Sequence, residues 1–389
     1  MNKVNIIRRL ELPNDHSLIL FGPRGAGKST LLKQQFGSIK TLWINLLLSK
    51  EEEKYSRNPD NLISIVKSLP DDHLHIVIDE IQKIPKLLDI VHELIESTDK
   101  IFILSGSSAR KLKKGSANLL AGRAFVYNLF PFTFAELGPQ FDLQQALSFG
   151  LLPKIYQLKS ELQKEKFLKA YANTYLKEEV WSEQFIRDLT PFRSFLEVAA
   201  ISNGKIINFS NIARDINVDY KTVENYYSIL DDTLVGFFLY PYNGSIRRQI
   251  SKSPKFYFFD VGVTRALARM LSVVPREKTS YYGELFEQFI ICEIRKFIAY
   301  FHDEYKMSFL CDKNGQEIDV IVQRPNLPTL LIEIKSTDDV QKYHLSNIIN
   351  LKVEFTDYTL LCFSQDKNKK IIDEVSVWPW QEGIIHYFI

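Results

Sequence analysis

Short apolar runs separated by polar segments characterise the first part of the chain. Continuous apolar runs of this length predict buried β-strands, and they occur at residues 18–21, 41–47, 73–80, 100–108 and 125–129. The segment 29–35, the next predicted element after the first run, has the pattern of a helix. The glutamate-rich segment 51–54 predicts a solvated loop or the outer face of a helix.

Residues 159–187 have apolar and aromatic positions at helical spacing, which predicts helices. A helix, a helix–turn–helix at 210–230 and two apolar runs at 235–240 and 255–259 then give the pattern of a winged helix. An amphipathic helix at 283–295 comes next. Two strands follow it, at 315–322 and 330–335.

Composition and charge exclude several classes of protein. The 389 residues are enough for two to four domains, and the apolar content of 45% is ordinary for a soluble globular protein. With a net charge of +2, any nucleic-acid binding must come from local patches. Three widely spaced cysteines suit a reducing cytoplasm better than a disulfide framework or a zinc site. No apolar run has membrane-spanning length, so we expect a cytoplasmic protein without a membrane partner.

Residues 22–30 (GPRGAGKST) fit the phosphate-loop pattern at every required position, between a predicted strand and a predicted helix. Glycines allow the backbone N–H groups to face phosphates, and the helix N-terminus adds partial positive charge. Lys28 is expected to neutralise phosphate charge, and the Ser29 hydroxyl is expected to hold Mg²⁺. The sequence therefore predicts ATP and Mg²⁺ as ligands. The predicted cofactor-binding residues of the loop are Gly22, Pro23, Arg24, Gly25, Ala26, Gly27, Lys28, Ser29 and Thr30.

The third apolar run ends in two carboxylates, Asp79 and Glu80, which is the Walker B pattern. Asp79 is expected to reach the Mg²⁺ held by Ser29, and Glu80 to polarise the water that attacks the γ-phosphate. The fourth run ends in small polar residues. Ser107 or Ser108 is predicted there as a sensor between the acidic pair and the γ-phosphate, with Ser107 the chosen residue.

A basic stretch without acidic residues follows, from Arg110 to Arg123. It is either a solvated surface, a source of phosphate contacts to nucleic acid, or the source of an arginine finger. In the last case Arg123, or else Arg110, would reach the nucleotide of a neighbouring subunit. We therefore expect a homo-oligomer, with a hexamer as one arrangement.

Four separate motifs make a resemblance specific: residues 79–85 (DEIQKIP), 105–110 (SGSSAR), 121–123 (AGR) and 129–136 (LFPFTFAE). Together they resemble a family of prokaryotic AAA-type ATPases, whose members carry a C-terminal domain of largely uncharacterised function. The resemblance implies an AAA-like fold with a central parallel sheet. A second sensor arginine is not identifiable after Gly150.

The winged-helix pattern suggests contact with DNA, without settling it. The second helix offers Lys221, Thr222 and Asn225 to bases, but it also carries acidic residues. The hairpin tip is more basic, with Arg247, Arg248, Lys252 and Lys255. The other interpretation is a domain that serves packing or protein interaction.

In the last part of the chain, Asp319, Glu333 and Lys335 have the spacing D-x(13)-E-x-K. With Glu287 from the preceding helix they resemble the PD-(D/E)xK nuclease fold, although Ile318 stands where that motif has a proline. Alternation places Glu333 and Lys335 on one strand face. Glu287, Asp319 and Glu333 are predicted ligands for Mg²⁺ or Mn²⁺, and Lys335 would act on the attacking water. Because Glu-x-Lys is frequent on strands, a structural role is the alternative.

Two functional hypotheses follow. The first is an ATPase and metal-dependent DNA endonuclease, in which nucleotide hydrolysis controls a nuclease-like domain. The second is a nucleotide-dependent switch or scaffold with an inert C-terminal domain that binds DNA or a protein. The predicted order is an AAA-like ATPase domain at 1–155, a helical connector at 156–190, a winged helix at 191–275 and a restriction-endonuclease-like α/β domain at 276–389.

Overall fold

The computed structural model describes residues 6–37, 40–107, 120, 122–175, 189–242 and 253–389. They fall into two compact units. The first comprises Met1–Phe132, Leu152–Gln157 and Ser228–Val235, and the second comprises Thr133–Leu151, Leu158–Tyr227 and Gly236–Ile389. Within the described part of the chain, no helix is both long and apolar enough to cross a membrane.

The first unit contains a five-stranded sheet. Its strands are β1 (Leu18–Phe21), β2 (Thr41–Asn45), β3 (His75–Asp79), β4 (Ile101–Gly106) and β5 (Phe125–Asn128). The strand order is β2-β3-β4-β1-β5, and every adjacent pair is parallel. The predicted parallel sheet is therefore confirmed. Because parallel strands end at one edge, the segments that follow β1, β3 and β4 meet there.

Helices flank this sheet and bury their apolar faces on it. They are α1 (Lys28–Phe36), α2 (Ser49–Arg57), α3 (Asn61–Lys67) and α4 (Leu87–Ser97). The glutamate-rich segment lies in α2, which buries only Tyr55 and leaves its charged side chains exposed or half-buried. The core between the sheet and the helices includes Phe21, Ile78 and Leu104.

An eight-stranded mixed sheet lies in the second unit, with strand order β12-β13-β11-β10-β9-β8-β6-β7. Its strands are β6 (Gly236–Pro241), β7 (Lys255–Phe258), β8 (Lys306–Cys311), β9 (Glu317–Arg324), β10 (Leu327–Lys335), β11 (Tyr358–Ser364), β12 (Lys370–Ile372) and β13 (Val375–Pro379). β8, β9 and β10 pair antiparallel, whereas β10 and β11 pair parallel.

The remaining described helices are α5 (Phe134–Leu137), α6 (Leu143–Phe149), α7 (Glu161–Ala170), α8 (Leu189–Ile201), α9 (Phe209–Asp215), α10 (Tyr220–Asp232), α11 (Val261–Leu267), α12 (Ser280–Phe301), α13 (Ser346–Leu351) and α14 (Trp380–Phe388). Side chains fix several helix starts. Thr133 caps α5 in a capping box with Glu136, and Ser160 caps α7 in the same way with Gln163.

Three helices and a hairpin occupy the region with the winged-helix pattern. α8, α9 and α10 precede the antiparallel pair β6–β7, and Ile206 forms an isolated antiparallel bridge with Lys255. This order of elements is the predicted one, and the name winged helix stays a prediction. β6 also pairs with β8, so the hairpin shares a sheet with the predicted C-terminal domain. The sheet therefore runs across the predicted boundary at 275, because the hairpin supplies the strands that extend its edge.

Candidate functional sites

The phosphate loop lies between the end of β1 and the start of α1. Gly25 (φ 79°) and Gly27 (φ 102°) adopt left-handed backbone conformations that favour glycine. At Gly22, a Cβ atom would lie 2.2 Å from the carbonyl oxygen of Leu129, so a larger residue does not fit. The side chain of Lys28 is buried, and its Nζ donates a hydrogen bond to the Gly22 carbonyl at 2.7 Å. The lysine is thus held over the loop.

The predicted Mg²⁺ ligands of the ATP site come together. Ser29 Oγ donates a hydrogen bond to Asp79 Oδ2 at 2.7 Å, although the residues are 50 positions apart. Asp79 ends β3 and is only 5% exposed. A hydroxyl and a carboxylate in contact beside a phosphate loop match the oxygen donors that Mg²⁺ prefers. The residues present therefore fit a magnesium ion with a nucleotide.

A serine that the sequence did not single out organises the acidic pair. Ser105, within β4, donates a hydrogen bond to Asp79 Oδ1, and its Oγ accepts one from Glu80 N at 3.4 Å. The adjacent register of β3 and β4, in which Ile78 pairs with Leu104, puts Ser105 beside Asp79. The available signal was a polar residue inside an otherwise apolar strand.

The predicted sensor Ser107 is buried, and its hydroxyl accepts a hydrogen bond from Gln82 Nε2 at 3.1 Å. Gln82 Nε2 also donates to Glu80 Oε2. Ser107 therefore reaches Glu80 through Gln82. The alternative residue, Ser108, lies outside the described residues.

Arg8, which sequence reasoning missed, supports the loop from outside. Its Nη1 donates to the Ala26 carbonyl at 3.0 Å, and its Nη2 donates to the carbonyl of Phe130. The guanidinium also lies 4.9 Å from the ring centroid of Phe132. Ile6 and Leu10, two positions to either side of Arg8, are buried, and the sequence of this segment has no alternation that would have predicted it.

Of the two arginines predicted as arginine fingers, the structure describes Arg123. Arg123 follows a left-handed turn at Gly122 (φ 76°) and pairs with Glu96. Both side chains are partly exposed, 38% for Arg123 and 56% for Glu96. Arg110 lies outside the described residues, and Arg24 in the phosphate loop is exposed.

A second cluster of charged side chains lies in the second unit, around a cleft of about 240 Å³ that includes Glu287, Asp319, Glu333 and Lys335. Ile332 of β10 pairs with Val320 of β9, so Asp319 and Glu333 are the next residues of the two adjacent strands. The structure thus brings Glu287 together with the three residues that share the D-x(13)-E-x-K spacing.

Direct contacts connect these residues. Asp319 Oδ2 accepts a hydrogen bond from the backbone N of Ile334 at 2.7 Å. Lys335 Nζ lies 2.5 Å from Glu333 Oε1. The other oxygen of Glu333, Oε2, is buried and has no hydrogen-bond partner among the residues that the structure describes.

Three further members of this cluster were not predicted: Lys255 and Tyr257 of β7, and Glu317 of β9. Tyr257 OH donates a hydrogen bond to Glu287 Oε1 at 2.7 Å. Lys255 Nζ pairs with Glu317 and lies 3.8 Å from Glu287 Oε1. The sequence assigned Lys255 to a basic hairpin tip suited to DNA contact, whereas its side chain is only 6% exposed. The other tip residues, Arg247, Arg248 and Lys252, lie outside the described residues.

Burial and charge repulsion shape the protonation of the cluster. Burial, followed by the nearby charge of Asp319, raises the pKa of Glu287 to about 7. The same two causes hold the pKa of Glu333 well above its ordinary value, against the opposing effect of Lys335. Burial alone would lower the pKa of Lys335, but Asp319 and Glu333 outweigh it, and the pKa is raised.

Two lysines neutralise carboxylates in this cleft, since Lys255 pairs with Glu317 and Lys335 pairs with Glu333. Among the residues that the structure describes, no three His, Cys, Asp or Glu side chains form a ready-made group for a metal ion. Two carboxylates on adjacent strands and one unpartnered buried oxygen, Glu333 Oε2, are the features that favour a cation. The cleft therefore offers a partial ligand set.

Three family models match successive parts of the chain. Residues 14–138 match an AAA domain, residues 140–273 match a domain of unknown function (DUF8612), and residues 282–382 match another domain of unknown function (DUF4143). No curated protein matches the sequence.

Solved structures show remote similarity. The chain is similar to a Walker-type ATPase of Pyrococcus abyssi, with 14% identity and a TM-score of 0.43, over 65% of this chain and 91% of that one. It is also similar to domain III of the Thermotoga maritima replication initiation protein DnaA, with 15% identity and a TM-score of 0.25, over 45% and 80% of the two chains.

A third similar structure is a signal transduction ATPase with numerous domains (STAND) from Pyrococcus horikoshii, which has a tetratricopeptide repeat sensor. The identity is 12% and the TM-score 0.20, over 73% of this chain and 43% of that one.

The type of the N-terminal domain follows from the geometry of the first unit and from the match to an AAA domain. With a phosphate loop on β1, an acidic pair at the end of β3 and the family match over residues 14–138, the N-terminal part of this chain is a P-loop ATPase domain of the AAA type.

Proposed function

We propose that the chain binds ATP with Mg²⁺ at the phosphate loop and hydrolyses it. The observation that carries the proposal is the contact between Ser29 and Asp79, which joins the loop to the end of β3. Mg²⁺ bound there would neutralise charge on the β- and γ-phosphates. Lys28 and the backbone N–H groups of the loop would bind the phosphates.

Glu80 is the residue that we propose as the general base. It follows Asp79 directly, and its carboxylate would orient the attacking water and take its proton. Glu80→Gln keeps the size of the side chain and removes this function. We expect the variant to bind ATP and to lose hydrolysis by about 10²-fold or more.

The test compares ATP turnover and ATP affinity in wild type, Lys28→Ala, Glu80→Gln and Glu93→Gln. Glu93 is exposed on α4 and provides the matched change of carboxylate to amide. We expect Lys28→Ala to weaken binding and Glu93→Gln to change neither quantity. Wild-type turnover by Glu80→Gln would refute the role of Glu80, and a wild-type protein without ATP turnover would refute the proposed activity.

We also propose that hydrolysis requires a homo-oligomer, in which Arg123, or else Arg110, completes the site of the adjacent subunit. Arg123 is partly exposed, and its partner Glu96 is also partly exposed, so a phosphate of the adjacent subunit's nucleotide could take the place of Glu96. Arg123→Ala should then spare ATP binding and abolish hydrolysis, and mixing it with Lys28→Ala should restore part of the activity. A demonstrated monomer with full specific activity would refute the proposal.

A second candidate function is metal-dependent cleavage of DNA at the cleft of the second unit, controlled by the ATPase. The buried, unpartnered oxygen of Glu333 beside Asp319 favours it. Asp319, Glu333 and Glu287 would hold Mg²⁺ or Mn²⁺, and Lys335 would orient the water. The alternative is a nucleotide-dependent switch or scaffold, in which the cleft is inert and the domain binds DNA or a protein partner.

Cleavage of linear, circular, single-stranded and branched DNA, with and without ATP and with Mg²⁺ or Mn²⁺, separates these two functions. If the cleft is a nuclease site, Glu333→Gln and Lys335→Ala should each abolish cleavage. Glu304→Gln, an exposed carboxylate beyond α12, should leave it unchanged. Absence of cleavage under every condition, with ATP turnover intact, would favour the switch.

A further inference from the structure

Gln82 lies in a short helical turn directly after the acidic pair and is only 8% exposed. Its Nε2 donates hydrogen bonds to two acceptors, Glu80 Oε2 and Ser107 Oγ, the latter at 3.1 Å. These acceptors belong to the segments that follow β3 and β4. The Gln82 amide therefore connects the proposed general base to the neighbouring strand end.

The other end of the same amide is unsatisfied. Gln82 Oε1 is buried and, within the described part of the chain, has no hydrogen-bond partner. It packs against Gly106, where a Cβ atom would lie only 2.7 Å from it. A buried acceptor without a donor is unfavourable, so a packing role alone does not explain this amide. The charge-assisted bond to the Glu80 carboxylate, which is stronger than a neutral one, accounts for its orientation.

At Glu80 the backbone is fixed, so only the side chain can change its orientation. Glu80 has φ 65°, a left-handed conformation that few non-glycine residues adopt. Its backbone N is bonded to Ser105 Oγ. The backbone is thus held, and the direction of the carboxylate depends on the bond from Gln82.

We propose that Gln82 is a positioning residue for ATP hydrolysis, which holds the Glu80 carboxylate in the orientation needed to activate water. The inference rests on the proposed role of Glu80 as general base. Without Gln82 the carboxylate samples other rotamers, so the fraction in the productive orientation falls. ATP binding is assigned to Lys28 and Ser29, and in the described part of the chain Gln82 forms hydrogen bonds to Glu80 and Ser107 instead.

Two substitutions disturb this amide from opposite sides. Gln82→Leu removes both N–H donors at similar size. Gly106→Ala leaves Gln82 intact but places a methyl group against Oε1, and the flexible end of the glutamine must move. The matched control is Gly283→Ala, where the nearest atom to the new Cβ, Ser336 Oγ, lies at an ordinary 3.6 Å.

We expect Gln82→Leu and Gly106→Ala each to lower kcat about tenfold or more, as a fraction of the 10²–10⁴-fold that a general base contributes. KM for ATP should stay within about twofold, since the loss concerns the transition state. The effects of Gly106→Ala and Gln82→Ala should not multiply in the double variant, because a Gln82→Ala background has no Oε1 for the new methyl group to displace. Gly283→Ala should leave both constants unchanged.

The outcomes separate the inference from the proposed function. Wild-type kcat in folded Gln82→Leu would overturn the inference and leave ATP hydrolysis standing. Multiplicative effects of Gly106→Ala and Gln82→Ala would also overturn it, because each residue would then act independently. A wild-type protein that binds ATP without turnover would overturn the proposed function itself. Thermal melting of each variant confirms that a low kcat does not come from unfolding.

Discussion

Lys296 is the counter-charge for buried carboxylates in the second unit, and its removal tests how α12 holds the start of α5. Its Nζ lies 2.7 Å from Glu293 Oε1, and the two side chains are 4% and 0% exposed. Glu293 Oε2 accepts a hydrogen bond from the backbone N of Phe134 at 2.9 Å. The ion pair therefore fixes the first residue of α5.

The size of the effect follows from this geometry. Two unit charges 2.7 Å apart attract by about 6 kcal/mol at an effective dielectric constant of about 20. Most of that attraction offsets the desolvation of the two ions. Lys296→Met removes the attraction and leaves Glu293 buried without a counter-ion, which costs about 3–5 kcal/mol. The double variant with Glu293→Gln removes both charges of the pair and should recover most of this loss.

The loss should depend on pH. Burial raises the pKa of Glu293, and Lys296 is the main group that lowers it, so Lys296→Met raises it further. A carboxyl whose pKa is raised in the folded state binds more protons in the native than in the unfolded state. Stability therefore falls as the pH rises from the pKa of the unfolded state to that of the folded state. Asp260, whose pKa burial raises and Lys296 lowers, changes in the same direction. Lys296→Met should therefore be more destabilising at pH 8 than at pH 5.

Thermal melting of wild type, Lys296→Met and the double variant at both pH values measures the effect. The control is Lys306→Met at the exposed start of β8, which removes a lysine without burying a charge. A loss of equal size at pH 5 and pH 8, or a double variant no more stable than Lys296→Met, would refute the role assigned to the pair.

Further predictions concern other described residues. Arg8→Met should weaken ATP binding by loosening the loop at Ala26, measured by titration calorimetry; unchanged affinity would show that the loop holds its shape alone. Lys255→Met leaves Glu317 without its closest partner and should lower the melting temperature, whereas an equal or higher value would mean that the lysine is dispensable. Iodoacetamide should label Cys311 before Cys292 and Cys362 in the native protein, because burial raises the pKa of both buried thiols; mass spectrometry would show otherwise if Cys292 reacts first.

The sequence by itself determined the elements whose signal is local. The phosphate loop, the acidic pair after β3 and the strands of the first sheet follow from runs of a few residues, because strand burial and the glycine turn are properties of short segments. The pairing of Asp319 with Glu333 also followed, since two strands joined by a short connection lie side by side. The side-chain periodicity of a strand then fixes which residues share a face.

The tertiary structure alone decided the partners that come from distant segments. Ser105 meets Asp79 because β3 and β4 are neighbours in register, and Arg8 reaches Phe130 across 122 positions of sequence. Lys255, predicted on a basic hairpin tip, is buried because β7 joins the second sheet beside β6. Long-range hydrogen bonds and strand order depend on which segments pack together. The pattern of apolar and polar residues within one segment does not show which distant segment it will contact.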